Sequence, residues 1–251
     1  LINNGDGTFF ARQSFGTGDS PGWVGVADMN SDGNLDVISG SGSDNRINIL
    51  LGNGDGTLKA RASYAGGANY YDGRAEDIDG DGNQDLIVVG SQHLSIYFGN
   101  SDGSLKARVS YATENGSFPR IGGYLDVDGD GVKDIVAGSL TANVYLGNSD
   151  GSFQHRISYA AGGGVYSINT DDIDNDGVDD IVVGGYQSVA VLLGNQSSGD
   201  IETFDVGAGA SSVTYGDFDD DGKVDLAIGH KTGSGGDTVS IHLVNGNGTY
   251  K

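Results

Sequence analysis

Residues 77–85 read DIDGDGNQD, with oxygen-bearing side chains at positions 1, 3, 5 and 9 and Gly at position 6. That spacing lets a short loop wrap a hard cation, and the backbone carbonyl of position 7 can join as a further ligand. Calcium takes about six to eight oxygens in irregular geometry, whereas magnesium demands a tighter octahedron and keeps its waters. Four more stretches share the register: DMNSDGNLD at 28–36, DVDGDGVKD at 126–134, DIDNDGVDD at 172–180 and DFDDDGKVD at 217–225. The start resembles a helix–loop–helix calcium site, which would need Glu at position 12. Here position 12 is Ser39, Val88, Ala137, Val183 or Ile228, so the second anchor is the Asp at position 9. Three Asp occupy positions 1, 3, 5 and 9 of the first loop and four those of every other loop; such carboxylates repel one another unless neutralised. Asn30 replaces one of them, so the first site is expected to bind weakest.

The elements that hold these loops repeat with them. The first Asp advances as 28, 77, 126, 172 and 217, a period of 45–49 residues. A turn motif keeps the same period: NNGDGTFFARQSF from Asn3, GNGDGTLKARASY from Gly52, GNSDGSLKARVSY from Gly99 and GNSDGSFQHRISY from Gly147, with weaker copies at Gly194 and Val244. Each repeat reads as four short strands. Strand A leads into the acidic loop and strand B leaves it (DVIS, DLIVV, DIVAG, DIVVG, DLAIG). Strand C ends at the Gly-rich turn, and strand D follows that turn. The B strands are apolar on both faces, as in a sheet packed on both sides. Four strands per repeat of this length is the pattern of a β-propeller. The predicted fold is all-β: one domain, residues 1–251, of five four-stranded antiparallel blades. The first copy of strand D, Phe9–Phe15, precedes the first A, so it is expected to complete the last blade and remove a sheet edge. The competing reading is a slice of a larger ring. A chain that opens on Leu1 also points to a removed N-terminal segment.

The acids set the bulk properties. Thirteen basic against 35 acidic residues give a net charge of −22, which repels nucleic acid and anionic membranes; five Ca²⁺ would bring it to −12. No apolar run approaches the length of a membrane span. With no Cys there is neither a disulfide framework nor thiol chemistry. Calcium loops of extracellular modules bind at about 10⁻⁴–10⁻³ M and would stand empty at cytosolic calcium. An extracellular or cell-surface protein stapled by structural calcium follows as the expectation.

The Asp-rich loop paired with the LLGNGDGTL-type turn resembles the FG-GAP/VCBS repeat family, the calcium-binding propeller blades of integrin α-subunits and of many secreted proteins, some propeller lectins among them. The resemblance covers the whole chain. It implies about five Ca²⁺ held by Asp28, Asn30, Asp32, Asn34 and Asp36; by Asp77, Asp79, Asp81, Asn83 and Asp85; by Asp126, Asp128, Asp130, Val132 and Asp134; by Asp172, Asp174, Asp176, Val178 and Asp180; and by Asp217, Asp219, Asp221, Lys223 and Asp225, position 7 serving through its carbonyl. Integrin propellers have seven blades, so five is a departure.

In an up-and-down blade the A–B and C–D loops share one face, and the B–C and D–A loops the other. The acidic loops and turns therefore crowd one end, while loops that differ between repeats crowd the opposite end, where function usually sits. There Trp23, Tyr70, Tyr71 and Tyr166 offer faces for stacking, and Arg74 and Arg120 offer hydrogen bonds, a composition that suits sugars. The plainer alternative is that these aromatics plug gaps between blades. The Arg series Arg12, Arg61, Arg108 and Arg156, with Lys59 and Lys106, reads as outer-edge charge paired with neighbouring acids. Asp6, Asp55, Asp102 and Asp150 in the turns read as turn chemistry. The leading expectation is a non-enzymatic, lectin-like module for glycan or polysaccharide. The alternatives are an adhesion or assembly domain for an extracellular protein, or a propeller polysaccharide lyase or hydrolase; no nucleophile motif is present.

Overall fold

In the computed structural model of the chain, residues 5–67, 69–113, 119–160, 164–185, 188–194, 201–205, 210–231 and 237–245 are described. Every regular element among them is a β-strand, and each sheet is antiparallel with its strands side by side in chain order.

The chain folds as two units, Leu1–Thr113 and Glu114–Lys251. The first holds two sheets: β1 (Pro21–Ala27), β2 (Asp36–Ser41), β3 (Arg46–Leu50) and β4 (Ala62–Ala65), then β5 (Tyr70–Glu76), β6 (Asp85–Gly90), β7 (His93–Tyr97) and β8 (Val109–Ala112). The second holds three: β9 (Arg120–Leu125), β10 (Asp134–Gly138), β11 (Thr141–Tyr145) and β12 (Ile157–Ala160); β13 (Val165–Asp171), β14 (Asp180–Gly185), β15 (Ser188–Leu192) and β16 (Ile201–Asp205); and β17 (Ala210–Gly216), β18 (Asp225–His230) and β19 (Thr238–His242).

The second and third strands of the first four sheets are buried because apolar side chains fill both of their faces, whereas in the last sheet β18 is largely buried and β19 largely exposed. Within the first unit, Met29, Ile38, Ile47 and Ile49 pack on Tyr70, Leu86 and Val88. Within the second, Val182, Val189 and Val191 pack on Val213, Leu226 and Ile228. Each such cluster buries the face of one repeat against the next, and at roughly 25 cal/mol per Å² of apolar area this packing dominates the stability.

Two departures from the sequence reading stand out. The fourth strands are short, because the turn holds only an isolated bridge (Gly52 to Leu58, Gly99 to Leu105, Gly147 to Phe153) and regular pairing resumes several residues later. Among the described residues, Phe9–Phe15 belongs to none of the five sheets, and the last sheet has three strands.

Candidate metal centres and the opposite loops

All five acidic loops close in the same way. The backbone N–H of the Gly at position 6 donates to the position-1 carboxylate: Gly33 to Asp28, Gly82 to Asp77, Gly131 to Asp126, Gly177 to Asp172 and Gly222 to Asp217, at 2.8–3.0 Å. The position-7 N–H donates to the position-5 carboxylate, as in Asn83 to Asp81 and Val132 to Asp130. The side-chain amides of Asn34 and Asn83 also donate to Asp32 and Asp81, so these side chains serve the loop rather than an ion. The Gly at position 6 has positive φ in every loop, and so does position 4: Ser31, Gly80, Gly129, Asn175 and Asp220. Two left-handed residues flanking one ordinary residue produce the tight curl.

The position-9 Asp does more than the sequence reading gave it. One of its oxygens accepts the N–H of loop position 2: Met29 to Asp36, Ile78 to Asp85, Val127 to Asp134, Ile173 to Asp180 and Phe218 to Asp225. The other accepts the N–H that opens the following turn: Gly52, Gly99, Gly147, Gly194 and Val244, all at 2.7–2.8 Å. This buried carboxylate rivets the acidic loop to the turn two strands away, which is why the two motifs share one period. The turn glycine is needed for close approach. A Cβ on Gly52, Gly99 or Gly147 would lie 2.2–2.4 Å from the carbonyl oxygen of loop position 8.

Carboxylate oxygens converge in four loops. Asp77, Asp79 and Asp85; Asp126, Asp128 and Asp134; Asp172, Asp174 and Asp180; and Asp217, Asp219 and Asp225 each bring oxygens within 4.8 Å of one another. In the first loop Asn30 takes the middle place between Asp28 and Asp36. Burial, opposed by the N–H groups of Gly147 and Val127 and reinforced by Asp128 and Asp126, pushes Asp134 up to about 6. Burial likewise raises Asp180 to about 6 and pushes Asp85 upward, and it lifts Asp128 and Asp174 beside their acidic neighbours. A cluster that resists ionisation in this way, with only oxygen donors, fits a hard divalent ion.

Position 5 has a partner of its own. Lys59 lies 3.8 Å from Asp32, Lys106 3.5 Å from Asp81 and Lys223 3.0 Å from Asp221. Lys59 and Lys106 therefore face the acidic loops, while Arg156 donates to Asn143 and Ser158. Asp6, Asp55, Asp102 and Asp150 accept hydrogen bonds from the Thr or Ser two residues on, which holds their carboxyls below the ordinary value and marks them as turn residues.

The six sequence-predicted ligand residues are spread over the first strands of four sheets, Arg74 lying near the acidic-loop end of β5 and the others toward the opposite end. The indole of Trp23 fills a slot walled by Gly25, Gly40 and Gly73, where added Cβ atoms would fall 2.0–2.8 Å from the ring. Tyr70 is buried, its hydroxyl 3.0 Å from that of Tyr97 and accepting the N–H of Gly67. Tyr70 therefore works as packing, and Trp23 is partly buried against the same apolar cluster. Tyr71 and Tyr166 sit where the register of β5 against β6 and of β13 against β14 slips. Such bulges re-aim a side chain, and Tyr166 is 50% exposed. Arg74 is exposed and paired with Glu76, and Arg120 is exposed at the start of β9.

Repeated strand–acidic loop–strand units riveted to a Gly-rich turn define a β-repeat protein with a metal-loop consensus. Matches to the FG-GAP-like repeat cover residues 77–137, 126–183 and 172–228, and the chain belongs to that family. No curated protein sequence matches it. Among solved structures, an Agrocybe aegerita lectin that recognises non-reducing terminal N-acetylglucosamine aligns at TM-score 0.59 and 20% identity, over 92% of this chain and 65% of the lectin. The V. cholerae biofilm matrix protein Bap1 aligns at TM-score 0.57 and 17% identity, over 93% of this chain and 39% of Bap1. BBS1N, solved in complex with ARL6DN, aligns at 0.54 and 13%, over 91% of this chain and 70% of BBS1N. At these identities the likeness is one of fold.

Proposed function

We propose that the protein is a calcium-loaded binding propeller that recognises carbohydrate outside the cell or at its surface, without catalysis. Calcium would be held by the position-1, -3, -5 and -9 side chains of each loop and the position-7 carbonyl, supplying charge neutralisation and rigidity. The protein would form one domain of five blades, with Phe9–Phe15 adding the missing fourth strand to the last sheet. Support for that closure comes from repeat-equivalent positions. Met29, Ile47 and Ile49 are at most 1% exposed, whereas their counterparts Phe218, Val239 and Ile241 are 50, 70 and 47% exposed. Val24, Val26 and Leu35 of the first repeat are likewise exposed. Both are apolar faces of the kind that neighbouring blades consume.

The observation that carries the functional reading is the contrast between the two ends of the sheets. One end repeats the same acidic loop five times. The other varies and carries Tyr71 and Tyr166 on bulges. The lectin among the structural neighbours supports a sugar ligand. A protein partner is the second reading, favoured because the variable loops differ between repeats, so that no sugar unit is read identically by every blade.

A glycan screen in millimolar calcium and again in EDTA, with terminal N-acetylglucosamine included, tests the proposal. Calcium-dependent binding without product formation is expected, and Tyr71→Ala or Tyr166→Ala should remove it at unchanged melting temperature. A folded, calcium-loaded protein that binds no glycan would leave the protein-binding reading.

A further inference from the structure

The fifth repeat departs from the others at two positions. His230 stands where the other repeats have Ser41, Gly90, Ser139 and Gly185, and His242 where they have Leu50, Tyr97, Tyr145 and Leu192. In the β18–β19 pairing, His230 lies opposite Thr238, Ser240 opposite Ile228 and His242 opposite Leu226, so the three polar side chains share one face of the sheet with Ser240 in the middle. The Nε2 atom of His230 is 2.8 Å from Ser240 Oγ, and that of His242 is 3.0 Å from the same oxygen. Two imidazoles thus aim the same nitrogen at one point.

A hydroxyl carries one proton, so Ser240 can donate to one ring while the other must turn an N–H toward it. In the tautomer that keeps its proton on Nδ1 each ring presents an Nε2 lone pair, and two such lone pairs with an oxygen between them form a donor set for a borderline metal. All three residues are half-buried, so the group stays partly open to solvent.

We propose that His230 and His242 form a second class of metal site, for a divalent late first-row ion such as Zn²⁺, Ni²⁺ or Cu²⁺, with Ser240 Oγ as a neighbouring oxygen. Nitrogen donors set it apart from the acidic loops, whose all-oxygen sets suit hard ions. The inference stands independently of what the acidic loops bind and of any sugar.

The test uses the whole chain in millimolar calcium, which occupies sites selective for hard ions. Zn²⁺ is titrated against a chromophoric chelator, and Cu²⁺ is added for electron paramagnetic resonance. One Zn²⁺ equivalent and a Cu²⁺ spectrum with imidazole nitrogen couplings are expected. His230→Gln and His242→Gln keep a hydrogen-bonding side chain and should each weaken Zn²⁺ by roughly tenfold or more, while His155→Gln on the exposed segment before β12 should leave it unchanged. Circular dichroism confirms that each variant is folded. Undiminished Zn²⁺ affinity in the double His230→Gln, His242→Gln variant, or copper coordinated by oxygen alone, would overturn the proposal and leave the three residues as a hydrogen-bond chain.

Discussion

Lowering the pH should stabilise the metal-free protein while weakening its hold on calcium. The perturbation acts on the position-9 rivets. Asp134 and Asp180 titrate at about 6 in the fold against an ordinary value of 3.8. Above pH 6 both are ionised in the folded and unfolded chains, and ionising each inside the fold costs up to about 3 kcal/mol. Below about pH 4 they are protonated in both states and the cost vanishes. Metal-free stability therefore falls as the pH rises from about 4 through 6. An ion that neutralises the cluster removes that cost, so at neutral pH calcium stabilises both by mass action and by relieving the carboxylates. At pH 5 a group titrating near 6 is about nine-tenths protonated, and calcium must displace that proton, so the apparent affinity of these two sites should drop about tenfold from pH 7.5. Thermal melts in EDTA and in 5 mM calcium (about tenfold above a loop affinity near 10⁻³ to 10⁻⁴ M), from pH 5 to 8, read both effects. The EDTA melting temperature should rise as pH falls, and the gap between the two curves should widen toward pH 8. An EDTA curve that falls between pH 7.5 and 5 would refute the reasoning, since it would mean that the position-9 carboxylates gain from ionising in the fold.

Asn30→Asp should complete the carboxylate set of the first loop and raise the affinity of the weakest site, seen as one tighter event in a calcium titration. Gly99→Ala drives a Cβ to 2.2 Å from the Gln84 carbonyl oxygen and should destabilise by about 2–3 kcal/mol in urea unfolding. Asn175→Ala places Ala at a left-handed residue of the fourth loop and should cost about 1 kcal/mol, with Asn175→Gly close to neutral; equal melting of the two would remove the conformational explanation.

Much of this architecture is written in the spacing of residues. A double-faced apolar run such as Asp85–Gly90 is readable because burial on both sides leaves no alternation. The acidic loops are readable because oxygen ligands and Gly recur at fixed intervals. Position 4 was readable in principle, since Ser, Gly, Gly, Asn and Asp are the residues that tolerate the left-handed region. The double duty of the position-9 Asp was not. Its second partner lies 13–19 residues further on, and nothing in a one-dimensional pattern separates an Asp that faces an ion from one that also accepts two N–H groups. The burial of Tyr70 and the partial burial of Trp23 are hard to read for a related reason. An aromatic beside a variable loop reads alike whether its ring faces solvent or a neighbour, and only the surrounding glycines at 25, 40 and 73 reveal the slot. The length of strand D was hidden because a single bridge at Leu58 or Leu105 has the same residue preference as a continuous strand.

Under the proposed calcium binding, the rivet between each acidic loop and its own turn would also shape how the molecule meets a falling calcium supply. Every hydrogen bond accepted by a position-9 carboxylate ends within its own repeat, so the loss of one ion would loosen one loop and one hairpin, and would reach the neighbouring sheet only through loop position 2, where Met29 and Ile173 join the apolar clusters. The loop at Asn30, the one with a missing carboxylate, would then yield first and the others follow by affinity. The result would be a dimmer rather than a switch: a surface that softens repeat by repeat over a span of calcium concentrations.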